Sequence, residues 1–180
     1  MKAAYQGFPG AFSHQACLEA LPGCEPVPFG TFAEAVAAVR SGACERAVLP
    51  VENSTAGPVT AVTDLLPEAG LVVLGEHVLP IRLHLMGTRG AVLAGVRTAE
   101  SHPVALRQCG RALSALGLQA VERFDTAGAA QAVAAAGDPT RAAVASQAAA
   151  DLYGLKVLRE GVEDDVFNRT RFLILGPPGG

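Results

Sequence analysis

Tryptophan is absent from this 180-residue chain, and phenylalanine and tyrosine supply only 5% of it. Any pocket is therefore expected to be walled mainly by aliphatic side chains and backbone. No stretch approaches the roughly 20 consecutive apolar residues of a membrane span, which excludes a helical membrane protein at this level. No basic block exists either. With 14 Lys and Arg against 17 Asp and Glu, the formal net charge is −3, which argues against a nucleic-acid partner. The four cysteines (Cys17, Cys24, Cys44, Cys109) have neither metal-like CxxC spacing nor a dense secreted pattern, so reduced and partly buried thiols are expected. The N-terminus has one lysine and an apolar run broken by Gly7, Pro9 and Gly10, unlike a secretory leader, and a cytoplasmic protein is the expectation. What is present is the composition of a well-packed globular chain: 50% apolar and 17% charged, long enough for one sizeable core or two small lobes.

Short β-like runs alternate with alanine-rich helical stretches, the pattern of an α/β protein with largely parallel sheets. Strands are expected at 2–5, 47–51, 96–99, 119–123, 142–146, 157–158 and 170–175. Helices are expected at 14–20, 32–40 (with Gly42 as its C-cap), 58–66, 103–116, 126–136 and 147–152. Residues 71–86 are too long and apolar for one strand, and Pro80 interrupts them. They read as two strands meeting where the chain leaves a first lobe (1–79 plus 168–180) for a second (80–167). The last strand would return to the first lobe, with 176–180 as a frayed tail. Two lobes joined by two crossings imply a cleft, a favoured place for small molecules.

Four loops carry polar residues where such folds place the C-terminal ends of strands, the usual ligand edge. In the first, glycines let backbone N–H groups approach a ligand, and Ser13 can cap the helix that follows. The second, Glu52-Asn53-Ser54-Thr55, offers neutral donors at another helix start, with Glu52 as a negative neighbour. The third has Ser101 as an N-cap, His102 as a group able to exchange a proton near neutral pH or to serve structure alone, and Gln108 two turns into the helix. The fourth opens the last strand, where alternation sends Thr170 and Arg171 to opposite faces and Arg171 is a natural bidentate partner for a carboxylate. Each loop taken alone also reads as an ordinary turn or ion pair.

Together the segments Gln6-Gly7-x-Pro9-Gly10-Ala11-Phe12-Ser13, Pro50-Val51-Glu52-Asn53-Ser54, Ser101-His102-Pro103-x-Ala105-Leu106-x-Gln108-Cys109 and Asn168-x-Thr170-Arg171-Phe172 resemble the prephenate dehydratase family. The matches occur in family order and span essentially the whole chain. The resemblance implies conversion of prephenate to phenylpyruvate, water and CO2, without metal or cofactor. It also implies a two-lobed α/β fold similar to type II periplasmic binding proteins, and a homodimer or homotetramer. Family members commonly continue into a C-terminal ACT domain that senses phenylalanine. This sequence stops at Gly180, ahead of any such domain.

On that resemblance Thr170 is expected to assist departure of the substrate hydroxyl, and Arg171 to bind the pyruvyl carboxylate. Asn53, Ser54, Thr55, Ser101 and Gln108 would be neutral orienting donors, Ser13 and His102 would line the substrate, and Phe172 would shape the apolar wall. Arogenate dehydratase, or a solute-binding or sensing module that does no chemistry, are the rival expectations.

Overall fold

A computed structural model describes residues 1–179; Gly180, at the end of the expected tail, lies outside the described residues. Along the chain run β1 (Lys2–Gln6), α1 (Phe12–Ala20), β2 (Glu25–Phe29), α2 (Phe32–Arg40), β3 (Arg46–Asn53), β4 (Gly57–Pro58), α3 (Thr60–Thr63), β5 (Val72–Pro80) and β6 (His84–Gly87). There follow β7 (Thr98–Ser101), α4 (Pro103–Gln108), α5 (Gly110–Ala115), β8 (Gln119–Glu122), α6 (Thr126–Ala136), β9 (Arg141–Ala145), α7 (Gln147–Tyr153), β10 (Lys156–Arg159) and β11 (Arg169–Gly176). The chain divides into two compact units. Unit 1 is Met1–Phe8, Phe12–Ile81 and Phe167–Gly180, and unit 2 is Pro9–Ala11 and Arg82–Val166.

Unit 1 holds a six-stranded sheet of order β2-β1-β3-β11-β5, with β4 beside β3. Alternation along β3 divides its side chains between two cores. Ala47, Leu49 and Val51 pack with Leu173 and Leu175 against Ala35, Val36 and Val39 of α2 and Val62 of α3. Val48 packs on the other face with Tyr5, Leu79 and Phe172 against Ala16 and Cys17 of α1. The start of α2 is fixed locally by a capping box: Glu34 N donates to Thr31 Oγ1 and Thr31 N to Glu34 Oε2. Its C-cap is Ser41, with Gly42 following in the left-handed region at φ +79°.

Unit 2 holds a five-stranded sheet of order β10-β6-β9-β7-β8. Its core joins Met86, Ala143 and Ala145 to Ala129, Ala130 and Val133 of α6 and Ala149 and Ala150 of α7, so small side chains set the helix-to-sheet packing. Glu100, 1% exposed, is a buried carboxylate held by two guanidiniums. Arg141 binds it bidentately at 2.6 and 3.0 Å, and Arg123 binds at 2.7 Å through Nε. All four cysteines are buried and free. Among the described residues no helix is long and apolar enough to cross a membrane, and no cluster of three His, Cys, Asp or Glu could hold a metal ion.

The α/β organisation agrees with the expectation, but each sheet is mixed, not mostly parallel. In unit 1 the parallel set β2-β1-β3 continues into β11, which runs antiparallel to both β3 and β5. In unit 2 the parallel set β8-β7-β9 continues into antiparallel β6 and β10. The strands that enter a unit from the other one, β6 and β11, arrive without a crossover helix and so run against their neighbours. Three local expectations also change. β2 was not foreseen because Pro26 and Pro28 weaken a strand pattern; both fall on its outer edge, where no N–H is required. The helix expected at 58–66 shrinks to Thr60–Thr63 with a 3-10 turn at Leu66–Glu68. The helix expected at 103–116 is split at Cys109, because Asp164 N donates to the Gln108 carbonyl at 2.7 Å and Arg111 N donates to Asp164 Oδ1 at 3.3 Å.

Candidate active site

The β3–β4 turn and the start of β11 meet through side chains in unit 1. Asn53 pairs with Thr170 in the ladder, and its amide orientation follows from its partners. Asn53 Oδ1 accepts from the backbone N–H groups of Thr55 (2.9 Å) and Ala56 (2.8 Å), which can only donate. Asn53 Nδ2 therefore faces Asn168 Oδ1 at 2.9 Å, the Arg169 carbonyl at 3.2 Å and Thr170 Oγ1 at 2.9 Å. Thr170 thus accepts from Asn53, and among the described residues nothing accepts its own proton. Thr170 is 8% exposed and Asn168 5% exposed.

Ser54 closes the same turn. Its N–H donates to the Arg169 carbonyl at 2.9 Å, and its Oγ accepts from Arg169 N at 2.9 Å and donates to the Phe167 carbonyl at 3.5 Å. The expected substrate donors Asn53 and Ser54 are thus brought beside Thr170, but their hydrogen bonds are made within the protein. Thr55 is exposed, and its backbone N–H serves Asn53.

Arg171 is placed differently from the expectation. Its Nη1 lies 3.1 Å from Glu76 and its Nη2 3.4 Å from Glu52, each on a strand flanking β11. Two carboxylates already neutralise it on the face opposite Thr170, so the geometry does not make it a substrate clamp. Phe172 is 2% exposed in the α1-side core and does not form a pocket wall. Ser13 lies inside the first turn of α1, one residue past the helix start at Phe12, and is not its cap.

In unit 2, Ser101 ends β7 fully buried and donates to the Val144 carbonyl at 2.6 Å. The cap of α4 is His102, not Ser101: His102 Nδ1 accepts from Val104 N at 3.0 Å, which leaves a neutral ring its proton on Nε2. Gln108, the last residue of α4, is half-buried, and its side-chain amide has no partner among the described residues.

Three contributors escaped sequence reasoning. Asn168 was read only as the start of a motif, and no local pattern announces an acceptor for Asn53. Ser146 Oγ donates to the Gly10 carbonyl at 2.6 Å while capping α7, and Tyr153 OH donates to the Pro9 carbonyl. These two hydroxyls hold Pro9–Ala11 in unit 2. Gly10 is required there, because at φ +93° a Cβ would lie 3.1 Å from Ala149 Cα and 3.2 Å from Tyr153 Cε2.

The two-sheet α/β fold carries its carboxamide and hydroxyl cluster at β11, the strand that completes the first sheet. The family model described as "Prephenate dehydratase" matches residues 3–179. This chain belongs to the prephenate dehydratase family. It is 47% identical to the bifunctional N-acyl-homoserine lactone acylase/prephenate dehydratase of Komagataeibacter europaeus, over 98% of this chain and 65% of that protein. It is 43% identical to arogenate dehydratase/prephenate dehydratase 1, chloroplastic, of Arabidopsis thaliana, over 97% of this chain and 45% of that one. A solved structure described as a novel type of quorum quenching acylase matches with TM-score 0.92 and 46% identity, covering 100% of this chain and 65% of that chain. The chain therefore spans about half to two thirds of the length of these relatives.

Proposed function

We propose that this chain converts prephenate to phenylpyruvate, CO2 and water. The observation that carries the reading is the Thr170 hydroxyl, held as an acceptor by Asn53 at 2.9 Å and left with its proton to give. In the reaction the bond from the ring to its carboxylate breaks and its electron pair enters the ring. The ring becomes aromatic as the opposite C–O bond breaks, and the departing hydroxide takes one proton to become water. The drive is intrinsic to the substrate, so the protein must orient it and assist the leaving oxygen. Thr170 donates to that oxygen, and solvent returns the proton. Such assistance is worth on the order of 10²–10⁴-fold in rate.

A tight cation on the ring carboxylate would stabilise the state that decarboxylation must leave. Neutral donors suit that end better. The N–H groups at the start of α1, with Ser13 in the first turn, are candidates for the other carboxylate. A cytoplasmic homodimer or homotetramer belongs to the same proposal, and sedimentation of the purified protein tests the assembly.

Incubation with prephenate, following phenylpyruvate and CO2, tests the central claim. Absence of product from folded protein would overturn it. Arogenate run in parallel decides between the two substrates, a choice raised by the name of the Arabidopsis relative. A second reading rests on the Komagataeibacter relative, whose name includes an acylase activity. Release of a free fatty acid from an N-acyl-homoserine lactone would support it. Ligand binding with no turnover of any of these would favour the solute-binding or sensing module.

A further inference from the structure

We propose that Asn168 is a positioning residue which, through Asn53, fixes the direction in which Thr170 can give its proton. The proposal rests on the role assigned to Thr170 above. An amide nitrogen carries two hydrogens in a rigid plane, and Asn53 Nδ2 faces three acceptors. Asn168 Oδ1 and Thr170 Oγ1 are nearest, both at 2.9 Å, and the Arg169 carbonyl is farther at 3.2 Å. Asn168 draws one hydrogen to its side and directs the other to Thr170. Without it the amide can rock onto the Arg169 carbonyl, and the threonine hydroxyl is then able to turn and donate inward.

Asn168 is well suited to this. It is 5% exposed, and its own carbonyl accepts from Ile81 N at 2.8 Å, so its backbone is pinned just ahead of β11. The Asn53 end is equally fixed by the backbone N–H groups of Thr55 and Ala56. Both ends of the amide-to-amide bond are thereby anchored to main chain, and the polarity of the whole row, from Asn53 to Thr170 to substrate, runs one way.

The test is steady-state kinetics with prephenate on Asn168→Ala, Asn168→Asp and Thr170→Val, with thermal midpoints to report folding. Asn168→Ala should lower kcat roughly tenfold, the scale of one oriented hydrogen bond, with KM within about twofold. Asn168→Asp keeps an acceptor in the same place and should restore most of kcat. Unchanged kcat in Asn168→Ala, or a loss that Asn168→Asp does not recover, overturns the proposal. If Thr170→Val itself keeps normal turnover, the Thr170 reading has failed first and this one goes with it.

Should Asn168→Ala fail to fold, Asn53→Asp decides. The introduced carboxylate accepts from Thr170 and turns its proton inward, so kcat should be low at neutral pH and rise as acid protonates that carboxylate and restores a donor. A pH profile parallel to that of the unaltered protein would overturn the proposal.

Discussion

Thr170 and Arg171 are consecutive residues of β11 that face opposite sides of the same sheet: Thr170 lies across from Leu79 on the α1 side, while Arg171 bridges Glu52 and Glu76 on the other. Alternation along the strand forces the division, and it assigns the two residues different work.

Thr170→Val removes the hydroxyl at nearly constant volume. The expected result is a kcat lower by about 10²–10⁴-fold with KM changed far less, measured as phenylpyruvate formation. Thr170→Ser should retain most activity, because Asn53 can still donate to the hydroxyl oxygen. Equal losses in the two variants would show that side-chain shape matters and the hydroxyl does not.

Arg171→Gln should leave KM for prephenate within about twofold, because the guanidinium is ion-paired away from Thr170. Its effect should appear as stability instead. Losing two partly exposed pairs is worth roughly 0.5–1 kcal/mol, and the difference should shrink at high salt. Urea unfolding at low and high salt measures this, and a large rise in KM would restore the carboxylate-clamp reading.

Glu100 gives unit 2 a dependence on acid. Burial opposes its ionisation, but hydrogen bonds from Arg141 and Arg123 outweigh burial and hold the carboxyl below the usual 4.5. A depressed folded-state value means the unfolded chain binds the proton more readily. The stabilisation is therefore present above the ordinary glutamate value and disappears as pH falls through the lowered one. Glu100→Gln should cost roughly 1–3 kcal/mol at pH 7 and flatten the acid limb of stability, read from urea midpoints between pH 7 and pH 3.

Burial pushes the thiols of Cys17 and Cys109 up to about 12, and burial also raises those of Cys24 and Cys44. Native protein should react slowly with Ellman's reagent, and four thiols per chain should appear on denaturation. Rapid labelling of any one in the native state would contradict its burial.

What the sequence revealed was whatever a short window determines. The expected bounds of α2 and α6 coincide with Phe32–Arg40 and Thr126–Ala136, because their caps and apolar spacing are local. The break near Pro80 was legible for the same reason. What stayed hidden depends on partners far along the chain. Asp164 divides α4 from α5, Ser146 and Tyr153 hold Pro9–Ala11, and the Val144 carbonyl accepts the hydrogen bond of Ser101. At the site, residue types were legible but bond directions were not. Asn53 and Ser54 look like donors for a ligand until their partners on β11 are known, and Arg171 looks vacant until Glu52 and Glu76 are placed beside it.

The central position of β11 has a consequence for biosynthesis. β3 and β5 are not neighbours; β11 separates them, and it is made well after both. All five strands of the second sheet lie between His84 and Arg159, so that sheet can assemble while the first still has two unpaired edges. A nascent chain therefore carries bare strand edges at Arg46–Asn53 and Val72–Pro80 until β11 has left the ribosome, the interval in which this sheet is most open to aggregation and to chaperones.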